Sequence, residues 1–185
     1  MDSLNNVVSP KKVLFLSIIT WGLYDFFWFL KNWKVIKQKE SSNIHPYLRA
    51  FLAIFYCYSF FKKTLNLAKS YGYSEKYSAG KLAIIYFVLT FVGVILGKSI
   101  PGIGWWAFVF SVIGLLGAIP LYEVQKAINF NSEHESGVTN LKNTYTLGDT
   151  ALIFFGILYT IFIVTGAFAP PSNPFESLQQ LNVMY

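Results

Sequence analysis

Long apolar stretches interrupted by unevenly distributed charge constrain this chain more than any other feature. Ten of its fifteen Lys and Arg residues lie between Lys31 and Lys81, where only Glu40 and Glu75 are acidic. That basic segment carries a formal charge of +8 (10 − 2), and the rest of the chain sums to −2 (5 − 7). Because the flanking apolar stretches are long enough to cross a bilayer, we predict a polytopic membrane protein.

Composition supports this class. Only 13% of the residues are charged and 54% are apolar, whereas an ordinary soluble domain carries roughly 25% charged residues. A length of 185 residues allows one compact helical unit. We predict an all-α membrane protein, a single domain over 1–185 with about four transmembrane helices and one interfacial or re-entrant helix.

Four stretches are predicted to span the membrane. The first, 18 residues long, reaches roughly 27 Å as a helix and lacks a small-x-small cleavage site, so we interpret it as a retained span. Pro120 is predicted to kink the third, and an amphipathic surface helix is predicted over 121–130. The predicted spans are 13–30, 82–97, 105–121 and 150–169.

The apolar segment 50–61 is too short to span. Its twelve residues reach only about 18 Å as a helix, against a hydrocarbon core of roughly 30 Å. A crossing there would also divide the basic segment between the two sides of the membrane, against the positive-inside tendency. We therefore predict an interfacial or re-entrant helix over 47–68.

Orientation follows from the positive charge. The basic segment and the loop 122–149 are predicted to be cytoplasmic, and the turn 98–104 and the tail 170–185 extracytoplasmic. This scheme leaves the N-terminus outside despite its two lysines. The alternative is a re-entrant hairpin bent at Gly22, which places the N-terminus in the cytoplasm.

Asp25 lies inside the first apolar stretch. An intramembrane carboxylate costs a few kcal/mol on insertion scales, so it normally faces protein or water and has a partner. We predict a charge pair between Asp25 and Arg49. The carboxylate is then either linked to a proton or ion, or it is a structural group close to the interface.

Two sets of small residues are predicted to let helices pack closely, either within the chain or against another subunit. They are Gly93 and Gly97 in the second span, and Ala107, Ser111, Gly114 and Ala118 in the third.

The basic segment is predicted to bind anionic lipid head groups. A basic patch can also bind nucleic acid, but this one is flanked by membrane spans, so lipid is the more economical partner. The candidate head-group ligands are Lys31, Lys34, Lys37, Lys62 and Lys63.

We predict no catalytic motif, cofactor or metal site. The single cysteine, Cys57, excludes an intrachain disulfide and a Cys-based metal cage. His134 stands between Glu133 and Glu135, but with only His45 as a second histidine a solvated loop is the better interpretation.

The stretch LSIITWGLYDFFWFLKNW resembles a group of uncharacterised small bacterial inner-membrane proteins whose first span reads Thr-x-Gly-x-Tyr-acidic-x-x-Trp. The segment Ile44 to Phe61 is also similar to that group, so the resemblance covers about a third of the chain. It implies a bacterial inner-membrane protein of no assigned activity, and it lends no catalytic residue. The matching residues are Thr20, Gly22, Tyr24, Asp25, Trp28, Lys31, Asn32 and Trp33.

The sequence favours a non-enzymatic accessory or structural subunit that packs against a larger membrane complex, with another membrane protein or itself as partner. The alternative is a small transporter, channel or lipid-moving protein that uses the intramembrane carboxylate.

Overall fold

The computed structural model describes residues 7–74, 76–99, 104–137 and 143–167, with side chains outside 94–107 and 166–167. The chain is helical there and has no strand in those ranges, which confirms the predicted all-α class. The helices are α1 (Pro10–Ile19), α2 (Leu23–Lys39), α3 (Pro46–Phe51), α4 (Ala53–Ser70), α5 (Ala79–Ser99), α6 (Gly104–Leu115), α7 (Ala118–Ser136) and α8 (Leu147–Ala167).

Two helical stretches are long and apolar enough to cross a membrane. One is Phe108–Ser136, which runs through α6 and α7, and the other is Leu147–Thr165 in α8. They overlap the third and fourth predicted spans. A shorter apolar stretch, Ala79–Gly93 in α5, overlaps the second.

The predicted continuous span over 13–30 is wrong, because two helices occupy it. Trp21 and Gly22 have φ values of 54° and 82°, in the left-handed region that a right-handed helix excludes. Helix α1 therefore ends at Ile19 and α2 begins at Leu23, although both lie within one apolar run.

The predicted surface helix over 121–130 is also wrong. These residues belong to α7, a central helix whose Leu121, Val124 and Gln125 are fully buried. Pro120 lies in the first turn of α7, where its missing N–H breaks no intrahelical bond. The interruption falls just before it, where the backbone N–H groups of Leu116, Gly117 and Ile119 donate to carbonyls three residues back.

The region predicted as one interfacial helix over 47–68 contains α3 and α4, which are separated at Leu52. One face of α4 is buried through Phe60, Phe61 and Leu65. The other face exposes large apolar side chains near its N-terminal end and lysines further along. The exposed apolar residues of α3 and α4 are Tyr47, Leu48, Phe51, Phe55 and Tyr58.

Aromatic rings form the centre of the core. Phe29 of α2 contacts Phe60 and Phe61 of α4 and Tyr86 of α5, with ring centroids 5.6–6.2 Å apart. Edge-to-face geometry dominates these contacts, as expected of buried aromatic pairs. The cluster joins three helices at one level of the molecule.

Gly93 of α5 and Gly114 of α6 meet backbone to backbone. A Cβ at either position would collide with the Cα of the other glycine. Gly117, just beyond α6, lies against the hydroxyl of Thr90, three residues before Gly93, so the two helices run antiparallel in close contact. The predicted small-residue surface is therefore covered within the chain at these positions. The surroundings of Gly97 and Ala107 lie outside the described side chains.

Candidate functional site

The first two helices double back on themselves against α7. Asn129 Nδ2 donates a hydrogen bond of 2.9 Å to the carbonyl of Val8, and Trp28 Nε1 donates one of 2.6 Å to Gln125 Oε1. A continuous helix would separate Val8 from Trp28 by about 30 Å, whereas Gln125 and Asn129 are about 6 Å apart along α7. The segment α1–α2, which we call the hairpin, therefore reverses direction at residues 20–22.

Helix α1 lies along the first half of α8. Three contacts connect them at nearly constant offsets of 137, 137 and 139 residues, so the two helices run parallel. Gly156 is the tenth of the 21 residues in α8, so the turn of the hairpin lies level with the middle of that helix. The contacting pairs are Lys12–Asp149, Ile19–Gly156 and Trp21–Thr160.

Helix α2 runs parallel to α7 in the same way. Trp28 pairs with Gln125 and Lys39 forms an ion pair with Glu135, at offsets of 97 and 96 residues. Gln125 Nε2 in turn donates to Asn129 Oδ1 at 2.8 Å. The polar side chains of α7 therefore hold both halves of the hairpin.

The turn of the hairpin closes α1 with a Schellman motif. The N–H of Gly22 donates to the carbonyl of Ser17, and the N–H of Trp21 donates to that of Ile18. The Thr20 hydroxyl donates to Leu16 and accepts from the N–H of Tyr24, which links the end of α1 to the start of α2. Left-handed backbone is unfavourable for Trp21, and its Nε1 donates to Thr160 at 2.7 Å, which holds it there.

Asp25 lies in the first turn of α2, beside the turn of the hairpin. Its Oδ1 is buried and finds no hydrogen-bond partner among the described residues. The hydroxyl of Ser17 on α1 lies next to the carboxyl group and interacts with it, and neither group has another side-chain partner in the described part of the chain. The hairpin thus encloses a carboxyl group and a hydroxyl that face each other.

The predicted charge pair of Asp25 with Arg49 is not formed. The Arg49 guanidinium lies over the rings of Trp33 and Tyr56, at 4.6 Å and 5.3 Å from their centroids. Trp33 is eight residues beyond Asp25 on α2, which is about 12 Å of helix. Cation–π contacts occupy the arginine at a different level from the carboxylate.

A polar cleft opens between the C-terminal halves of α2, α4 and α7. Its volume is about 450 Å³. Lysine and glutamate side chains lie at its rim, the buried Asn32 and Asn131 lie deeper, and apolar side chains complete the walls. Its polar lining includes Asn32, Lys39, Glu40, Lys63, Asn131 and Glu135.

The lysines predicted to bind lipid differ in their surroundings. Lys34 lies over the ring of Tyr47 at 4.9 Å and Lys62 over that of Tyr58 at 5.8 Å, and both lysines are exposed. Lys63 instead forms an ion pair of 2.7 Å with Glu40. Lys31 is exposed and Lys37 is partly buried.

Several residues of this site were not predicted from the sequence. Lys12 was interpreted only as part of an N-terminal charge, yet it is buried and ion-paired with Asp149 at 2.7 Å. Gln125 lies within the predicted surface helix and Asn131 just beyond its end, yet both are buried in α7. The side-chain amides that recur along α7 were a usable signal in the sequence. Amides on an apolar helix are often buried, and buried amides require hydrogen-bond partners.

Among the described residues, no group of three or more His, Cys, Asp or Glu side chains is placed to hold a metal ion. His134 lies in the last turn of α7, stacked on Tyr71, rather than in a loop. A search of protein families, curated proteins and solved structures found no match to this chain.

Proposed function

We propose that this chain is a non-enzymatic protein of the bacterial inner membrane that moves a proton or another small cation. The hairpin is its re-entrant element and Asp25 is the group that binds the cation. The membrane assignment is supported by the two apolar helices. The bacterial assignment rests on the resemblance of the first apolar stretch.

In this proposal α5, α6–α7 and α8 cross the membrane, and α3–α4 lie at the cytoplasmic interface. The N-terminus, the basic segment and the loop between α7 and α8 then share the cytoplasmic side, with the tail beyond α8 outside. The ion pairs Lys12–Asp149 and Lys39–Glu135 support this arrangement, since each joins two of these regions. It also places the N-terminal lysines on the same side of the membrane as the basic segment, as the positive-inside tendency favours.

The position of Asp25 carries the proposal. Its buried carboxylate oxygen lies just beyond a turn that is level with the middle of α8. Ionisable groups within a membrane mark ion or substrate paths, and irregular backbone at that depth occurs where protein or a water-filled cavity surrounds it. An ionised carboxylate only accepts hydrogen bonds, so its ligand is a proton or a cation.

An accessory subunit is the second candidate. The contact of Gly93 with Gly114 uses the small-residue surface internally, which removes one of its supports. The outer face of α8 remains in its favour, since Phe154, Phe155 and Phe162 are each at least 60% exposed. Such a face suits lipid, another membrane protein or a second copy of this chain.

Cation flux into liposomes tests the first candidate. The purified protein is reconstituted with a pH-sensitive dye inside, and a potassium gradient with valinomycin drives proton entry. We expect flux above that of empty liposomes, and its loss in Asp25→Asn. The control Glu123→Gln removes a carboxylate that is paired with Lys126 on α7, and it should leave the flux unchanged.

Absence of flux for protons, Na⁺ and K⁺ would contradict the first candidate. Native mass spectrometry of the protein extracted from its own membrane then tests the second. A stoichiometric foreign chain would support an accessory subunit, and a bare monomer would contradict it.

The topology has its own test. In a Cys57→Ser background, single cysteines are introduced as Lys11→Cys and Glu133→Cys, both at exposed positions. A membrane-impermeant maleimide should label both in inside-out vesicles and neither in intact cells. Labelling from opposite sides would show that the first two helices cross the membrane.

A further inference from the structure

The cleft between α2, α4 and α7 is separate from the hairpin turn. Its α2 wall begins at Asn32, two helical turns beyond Asp25. Its volume of about 450 Å³ lies within the range of small-molecule pockets, roughly 300–1,000 Å³. It therefore has room for a ligand that the cation path does not use.

The rim of the cleft carries balanced charge. Lys39 and Glu135 form an ion pair between α2 and α7, and Lys63 pairs with Glu40 through two hydrogen bonds of 2.7 and 2.8 Å. Lys63 and Glu40 are each more than 40% exposed, so solvent screens them and their partners can exchange. The two glutamates would repel a simple anion, and the two lysines would repel a simple cation.

Asn131 lines the cleft and carries an unused acceptor beneath its surface. Its side chain is only 5% exposed, and its Nδ2 donates to the carbonyl of Thr64 at 3.0 Å. Its Oδ1 is buried and accepts from no described residue. Because a buried acceptor without a donor is unfavourable, the cleft selects for a ligand or water that donates a hydrogen bond there.

We propose that this cleft binds an amine–phosphate zwitterion, the chemistry of phosphoethanolamine. The ammonium group donates to Asn131 Oδ1 and Glu135, and the phosphate accepts from Lys39 and Lys63. Ammonium groups on two helices favour an anion with several oxygens over a single carboxylate. Phosphoethanolamine occurs both free and as a lipid head group, and the cleft's chemistry suits either source.

Binding is tested with the full-length protein in detergent. Free phosphoethanolamine is titrated by calorimetry. Inorganic phosphate and ethanolamine are the comparison probes, because each carries only one sign of charge. We expect saturable binding of the zwitterion that is at least about tenfold tighter than either probe, since losing one charge-assisted contact corresponds to about that factor. Lipid nanodiscs with and without phosphatidylethanolamine, analysed by native mass spectrometry for retained lipid, distinguish the two sources.

Two variants locate the ligand. Lys63→Gln changes an exposed position and should keep the fold while weakening binding about tenfold. Asn131→Leu should abolish binding, and the matched control Lys69→Gln, exposed on α4 outside the cleft, should leave it unchanged. Binding to the free zwitterion or retention of the lipid, with these variant effects, supports the site. Equal binding of phosphate alone, unchanged binding in Lys63→Gln, or no binding of either source would overturn it.

Discussion

The carbonyl group of Ile19 lies directly against the backbone of Gly156, at the point where the hairpin turn meets the middle of α8. A Cβ at position 156 would overlap this carbonyl and approach the Cα of Thr20 to 3.0 Å. Backbone lies on both sides of this contact, so no side-chain rotation relieves a collision. The contact therefore sets how deeply the hairpin is inserted beside α8.

Gly156→Ala is expected to lower stability by about 1–3 kcal/mol, the usual cost of overpacking a close contact. The measurement is the midpoint of thermal unfolding in detergent, followed by tryptophan fluorescence. Gly148→Ala is the matched control on the same helix, because its Cβ would meet only the Thr146 hydroxyl at 3.8 Å. Equal midpoints for the two variants would contradict the close contact at Gly156.

Lys12→Ala is expected to destabilise the protein by about 1–3 kcal/mol, since the carboxylate of Asp149 loses its charged partner but keeps the N–H of Thr146 and some contact with solvent. Lys11→Ala, at an exposed position one residue earlier, should have little effect. The exchanged pair Lys12→Asp with Asp149→Lys should recover part of the loss. No recovery in the double variant would argue against a direct pair.

Trp28→Phe is expected to cost about 2–4 kcal/mol, because Gln125 Oε1 loses its buried donor and the smaller phenyl ring leaves part of the buried site empty. Gln125→Leu also removes the hydrogen bond to Asn129 Oδ1, so it has a cost of its own, but the double variant should lose less stability than the sum of the two single variants. The double-mutant cycle on thermal midpoints checks this. Additive effects would mean that the two side chains do not interact.

The Cys57 thiol is expected to react slowly with maleimides in the folded protein. Burial raises its pKa to about 11 from an ordinary 9.0, so the reactive thiolate is about a hundredfold scarcer near pH 8. Its side chain is also only 2% exposed. Stopped-flow labelling should show a rate that still rises between pH 9 and 10.5, and unfolding in dodecyl sulfate should accelerate it. Rapid labelling of the native protein at pH 7.5 would contradict this environment.

Uniform apolar runs made α8 and α6 predictable, because hydropathy reports composition over a long window. The same measure missed the break at Trp21 and Gly22, since the apolar run continues unchanged through the turn. Hydropathy does not report chain direction. Three residues of the motif noted in the first apolar stretch form the hairpin: Thr20 caps the end of α1, Gly22 adopts the left-handed turn, and Trp28 bonds to α7.

The candidate site was predictable only in part. Asp25 stood out because a carboxylate is rare in an apolar stretch. Its proposed partner Arg49 was wrong because aromatic faces compete for a guanidinium, and nothing in the sequence ranks Trp33 above Asp25 as that partner. The ion pair of Lys12 with Asp149 spans 137 residues, a separation beyond any local pattern.

That separation also orders the biogenesis of the protein. The hairpin leaves the ribosome first, whereas the groups that hold it, from Gln125 to Thr160, are synthesised near the end. Helix α2 can pack on α4 and α5 through Phe29 as soon as those helices are made. The side chains of α7 and α8 that hold α1 follow later, so a chain that stops before α7 lacks the partners that hold α1 against the rest of the protein.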